Sequence, residues 1–187
     1  MTSESGRNAP IVRDRAALFI LGGLWLAELL GIFTLTGGRL FFSQDDPYIH
    51  IALADQLSLG HFGLHPSVVS SPSSSPLWPL ILACFATVSR WFGVLPTASL
   101  PWFILGLNAA ATMVTALIVA EVSLLSVPEL ATRPLPRTVL VVALCLGSNV
   151  IGVGFTGMEH SLHLAVCAGV ILGIVQLAVA KPPHRWL

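Results

Sequence analysis

The groups in this sequence able to move protons or hold a cation fall in two short stretches. The first is Gln44-Asp45-Asp46-Pro47-Tyr48-Ile49-His50. The second is Thr156-Gly157-Met158-Glu159-His160, with His163 just beyond it. Two adjacent carboxylates repel, and a nearby metal ion or substrate hydroxyl relieves that repulsion. Asp45 and Asp46 therefore suit proton abstraction or cation binding. Pro47 after an Asp also reads as a helix start, which gives Asp46 the further role of N-cap; Asp45 has no such local role. Glu159 and His163, four apart, share one helix face, with His160 directed elsewhere. That pair suits either a cation or a hydrogen-bonded helix mouth.

The elements that must position these groups are membrane helices. The chain has 187 residues, 55% hydrophobic and 10% charged, with a formal net charge of zero. A soluble domain carries about a quarter charged residues. Residues 16–36, 102–125, 138–155 and 161–180 are apolar runs with at most one charge each, of the length that a bilayer core about 30 Å thick demands. The neutral balance gives no basis for a nucleic-acid partner. Cys84, Cys145 and Cys167 all lie in apolar stretches and read as small buried hydrophobes. The run at 16–36 is too long for a signal peptide and lacks a small-residue cleavage site, so it reads as a retained first span.

Charge placement decides the number of spans. A fifth apolar stretch begins at Pro76. If it crossed the membrane, Arg7, Arg13, Arg15 and Arg90 would lie inside and the other five cationic residues outside. If it stays at the surface, only Arg39 and Arg90 lie outside, and seven lie inside. Four spans are expected, with a cytoplasmic N-terminus (1–15) and an outer loop over 37–101. Asp45, Asp46, Glu159 and His163 then share the outer face.

Within that loop, residues 47–59 read as an amphipathic juxtamembrane helix closed by Gly60. A second juxtamembrane helix covers 76–90, flanked by Trp78 and Trp91 as interface anchors. Ser67–Pro76 between them is low-complexity, either a linker or a mobile loop over a groove. Glu28 lies mid-span, where an ionisable group faces a partner or cavity.

Taken in order, QDDPYIHIALADQLSLGHFGLHP, then SSPSSSPLWPLILA, then TGMEHSLHLAV resemble the outer-loop motifs of the GT-C membrane glycosyltransferases. The arabinofuranosyltransferase-like, polyprenyl-phosphate-sugar-dependent branch is the most similar. The resemblance implies a helix bundle in the cytoplasmic membrane with two juxtamembrane helices in the first outer loop; with the four spans counted by charge, an all-α polytopic membrane helix bundle of four transmembrane helices plus two juxtamembrane helices is expected. It implies inverting sugar transfer from a polyprenyl-phosphate donor to a glycan or lipid acceptor on the outer side, and so a place in the cell envelope. Asp45 or Asp46 becomes the base, with Asp45 favoured because Asp46 is partly committed to capping the helix that starts at Pro47. Tyr48, His50 and Trp78 become substrate-binding residues, and Asp46, Glu159 and His163 ligands of a divalent metal. The chain departs from the pattern at Ala52, where the family often has a basic residue. Family members also carry further spans, so the chain is expected to be an N-terminal portion, inactive alone. The competing expectation is a non-catalytic integral membrane protein, a transporter fragment or accessory subunit.

Overall fold

The computed structural model describes residues 14–70, 73 and 75–180. The terminal cations Arg7, Arg13, Lys181 and Arg185 used in the charge count lie outside the described residues, as do positions 71, 72 and 74 of the serine-rich segment. The described chain is all-helical and contains no strand. Its helices are α1 (Arg15–Leu35), α2 (Asp46–Leu57), α3 (Leu77–Trp91), α4 (Pro96–Ser126), α5 (Pro134–Gly147), α6 (Val150–Gly154) and α7 (His160–Ala180), with a 3₁₀ turn at Pro128–Thr132.

Three of these, α1, α4 and α7, are long and apolar enough to cross a membrane. The third apolar run, 138–155, is not one helix. It breaks after Gly147, where Ser148 and Asn149 end α5 and Asn149 takes a left-handed conformation (φ 52°) before α6 begins. Glycine weakens the helix there, and asparagine is the non-glycine residue best able to adopt that backbone. With 14 residues, α5 rises about 21 Å, less than the bilayer core. The second run departs from expectation in the other direction. Pro101 reads as a boundary, yet α4 starts at Pro96 and carries Pro101 within it. As the sixth residue of α4, Pro101 lies beyond the first four N–H groups and so forfeits the bond to the Thr97 carbonyl.

Helix α4 is shared by two apolar clusters. Leu100 and Ile104, in its first third, pack with Trp78, Leu82 and Ala86 of α3 and Ile51 and Ala54 of α2. Leu105, Ala116 and Ala120, further along, pack with Ala17, Leu21 and Trp25 of α1, Val141 and Cys145 of α5, and Phe155. The upper cluster is built from i, i+4 spacing: Trp78, Leu82 and Ala86 form one face of α3. Trp78 is therefore a core residue, not an interface anchor, whereas Trp91 at the other end of α3 is exposed. Cys145 is buried as the sequence suggests, but Cys84 and Cys167 face outward. In a membrane bundle an apolar stretch supplies lipid-facing positions as well as core.

Two polar clamps fix the ends. Asp14 caps α1 by accepting from the Ala17 N–H, and its carboxylate accepts from Arg137 Nε (3.2 Å) and Thr138 Oγ1 at the start of α5. All three residues are buried, so α1 and α5 begin at the same end of the bundle. Four-span charge counting requires that arrangement. In the upper layer, Arg90 of α3 donates to Asp55 (2.5 Å) and Ser58, joining the C-terminal ends of α3 and α2.

Candidate functional site

The first stretch forms the start of α2. The Asp45 carbonyl accepts from the Tyr48 and Ile49 N–H groups, so Asp45 occupies the N-cap position and Asp46 the first helical turn. The sequence assigned that cap to Asp46. The Asp45 side chain makes no cap hydrogen bond, and both carboxylates are exposed. An acidic group in the first turn is favoured by the partial positive charge of the helix start. Pro47, His50, Ile51 and Ala54 then form the buried stripe of α2, which puts Asp46, four before His50, beside that stripe. At the far end Gly60 (φ 82°) closes the helix, with the His61 N–H bonded to the Gln56 carbonyl and the Gly60 N–H to the Leu57 carbonyl.

The second stretch is the turn between α6 and α7. Gly157 has φ 77°, and a Cβ there would lie 2.6 Å from the Phe42 ring. Only glycine satisfies both the backbone conformation and that approach. Phe42 in turn donates its N–H to the Tyr48 hydroxyl (3.0 Å). The turn and the loop before α2 thus interlock through Phe42. Asn108 of α4 holds the turn from below, donating its side-chain amide to the carbonyls of Gly154 (3.0 Å) and Met158 (3.1 Å). Glu159 follows; its carbonyl accepts from the Leu162 and His163 N–H groups and so starts α7.

The two stretches meet at His50. This imidazole is 3% exposed. Burial pushes its pKa below the ordinary value, against the upward pull of the nearby Glu159 and Asp46 carboxylates. Glu159 is itself buried, and its Oε2 has no hydrogen-bond partner among the described residues; neither has His50 Nδ1. Two carboxylates from distant parts of the chain thus act on one buried imidazole. Of the two, Asp46 is exposed and Glu159 buried.

One ligand atom from each of Glu159, His160 and His163 lies within 4.8 Å of the others. The sequence placed His160 away from this face; instead it joins the group, because at a helix start a residue three positions before His163 is also a neighbour. His160 and His163 are exposed. Tyr48 is exposed above the site and engaged with Phe42, while Trp78 is sealed in the upper cluster. Arg90, one of two cations expected on the outer side, is engaged by Asp55, and Arg39 is exposed. Glu28 is exposed on α1 and lines a groove of about 350 Å³ with Phe41, Phe42, Ser43 and Phe155.

Sequence reasoning missed Phe42 as the link, Gly157 as its seat and Asn108 as the support. Two of these carried a signal. Asn108 is an amide within an apolar span, and Gly157 precedes a carboxylate at a helix start. Comparison with protein-family models, with curated proteins and with solved structures finds no match to this chain.

Proposed function

We propose that the chain supplies the donor and acceptor site of a GT-C-type glycosyltransferase that uses a polyprenyl-phosphate sugar on the outer side of the cytoplasmic membrane. The observation supporting this reading is the approach of Asp46 and Glu159, one from each motif behind the resemblance, to the same buried His50. In this reading α5 and α6 together form a broken third span, since α5 alone is too short. The first-loop helices α2 and α3 roof the site.

Asp46 is the base of choice, because it neighbours His50 and is open to solvent. It would take the proton of an acceptor hydroxyl at hydrogen-bond distance, about 2.6–3.2 Å. The acceptor oxygen then bonds to the anomeric carbon while the bond from that carbon to the phosphate oxygen breaks, which inverts the centre and releases polyprenyl phosphate. The leaving phosphate needs positive charge. With Arg90 engaged, Arg39 is the available outer-side cation among the described residues.

The test is donor binding and transfer by the purified protein in lipid nanodiscs, using a panel of polyprenyl-phosphate sugars with glycan and lipid acceptors. Saturable donor binding supports the reading, and where transfer is observed Asp46→Asn should reduce it about 10²–10⁴-fold. If Asp45→Asn alone abolishes transfer, the base is Asp45. Failure to bind any such donor removes the enzyme reading and leaves a non-catalytic membrane protein.

A further inference from the structure

We propose that Glu159, His160 and His163 form a binding site for a transition-metal cation of the zinc class, with selectivity against magnesium and calcium. The site stands on its own geometry and holds whether or not the chain transfers sugar.

The first observation is the donor set. One carboxylate oxygen and two imidazole nitrogens lie within 4.8 Å of one another at the first turn of α7. Zinc bonds to such donors are about 2.0–2.2 Å long, which places the donors themselves about 3.4 Å apart. His160 and His163 are exposed, so their rings are free to rotate through the remaining distance. Three protein ligands with solvent on one side leave a coordination position open.

The second observation is independent of the cluster's proximity. Glu159 is only 7% exposed and its Oε2 has no hydrogen-bond partner. Neither arginine ion pair formed among the described residues involves it: Arg90 pairs with Asp55 and Arg137 with Asp14. An isolated buried carboxylate is costly unless an opposite charge meets it. The partial charge of the α7 start offsets some of the cost. A cation bridging Glu159 to the two exposed imidazoles supplies the rest.

The donor types set the metal class. Magnesium and calcium are bound by oxygen ligands, whereas two imidazoles and one carboxylate favour zinc, cobalt or nickel. Asp46, a candidate ligand from sequence, is not a member of the cluster.

The experiment uses the full chain in nanodiscs, stripped with chelator and titrated with cobalt(II) while visible ligand-field bands are recorded. One equivalent is expected to bind, to be displaced by zinc, and to resist millimolar magnesium or calcium. His163→Ala and His160→Ala, both at exposed positions, should each weaken binding about 10-fold or more; Glu159→Gln should do the same. Asp46→Asn and the double substitution His61→Ala/His65→Ala should leave binding unchanged. Absence of a stoichiometric cobalt spectrum, binding that survives both α7 histidine substitutions, displacement by calcium, or an equal loss in Asp46→Asn would each overturn the proposal.

Discussion

The side-chain amide of Asn108 reaches from α4 to the Met158 carbonyl at 3.1 Å, one residue before Glu159, and to the Gly154 carbonyl at 3.0 Å. A single fully buried side chain thus supports both of these buried carbonyls in the turn that opens α7. Backbone carbonyls at a helix break need such a partner, because in lipid no water replaces it. Asn108→Leu leaves both oxygens unpaired. The expected loss is about 1–3 kcal/mol, read from reversible unfolding in mixed micelles. Wild-type stability in this variant would mean that the turn is held by its apolar contacts alone.

At the opposite end, the Asp14–Arg137 pair lies among buried residues, with each side chain less than 10% exposed. Removing one member leaves the other charged and dry, at a cost of about 3–5 kcal/mol. Arg137→Met alone should therefore be strongly destabilising. The double variant Asp14→Asn/Arg137→Met should recover most of that loss, since no charge is then stranded and the asparagine oxygen still caps α1. A double-mutant cycle with additive effects would show that the pair is not coupled.

His50 makes stability depend on pH. Its depressed pKa means that the unfolded chain takes up a proton before the folded one does as acid is added. The contribution is complete above the ordinary value of about 6.5 and is lost as pH falls through the lower folded value. With chelator present, the melting temperature should fall between pH 7.5 and 5, and His50→Gln should flatten that fall. A protein that gains stability over this interval would mean that Glu159 and Asp46 attract the imidazolium more strongly than burial penalises it.

Sidedness is open to direct measurement. The clamp between Asp14 and Arg137 sets the starts of α1 and α5 at one end, and the α2–α3 layer lies toward the other end of α4. In a cysteine-free background, Val69→Cys should react with an impermeant thiol reagent in intact cells and Arg133→Cys should not. Both positions are exposed, so access is not limited by packing. The reverse pattern would put Asp46 and Glu159 on the cytoplasmic face and remove the transferase proposal.

The helical class and the two helices expected near 47–59 and 76–90 were legible from composition and spacing. A window of apolar residues reports transfer into lipid, and it does so whether or not the backbone stays helical. That is why 138–155 reads as one span while Gly147 and Asn149 divide it. Side-chain direction was less legible still. Trp78 has the chemistry of an interface anchor, but Leu82 and Ala86, one and two turns on, place its face against α4. The partnership of Phe42 with Gly157 depends on a close approach between distant parts of the chain, which local spacing does not encode.

That approach yields the last prediction. Gly157 combines a φ of 77° with a Phe42 ring 2.6 Å from where a Cβ would sit. In Gly157→Ala the left-handed backbone costs about 1–2 kcal/mol, and displacement of the ring adds about 1–3 kcal/mol. Phe42→Ala costs about 3–5 kcal/mol by itself as a buried ring is lost, but it removes the clash and not the backbone cost, so the double variant should lose about 1–3 kcal/mol less than the sum of the two single losses. Because the turn sets the start of α7, Gly157→Ala should also weaken cobalt binding at Glu159, His160 and His163, although it touches none of them. If Gly157→Ala keeps both the wild-type melting temperature and wild-type cobalt affinity, the interlock between the two motifs does not exist in solution.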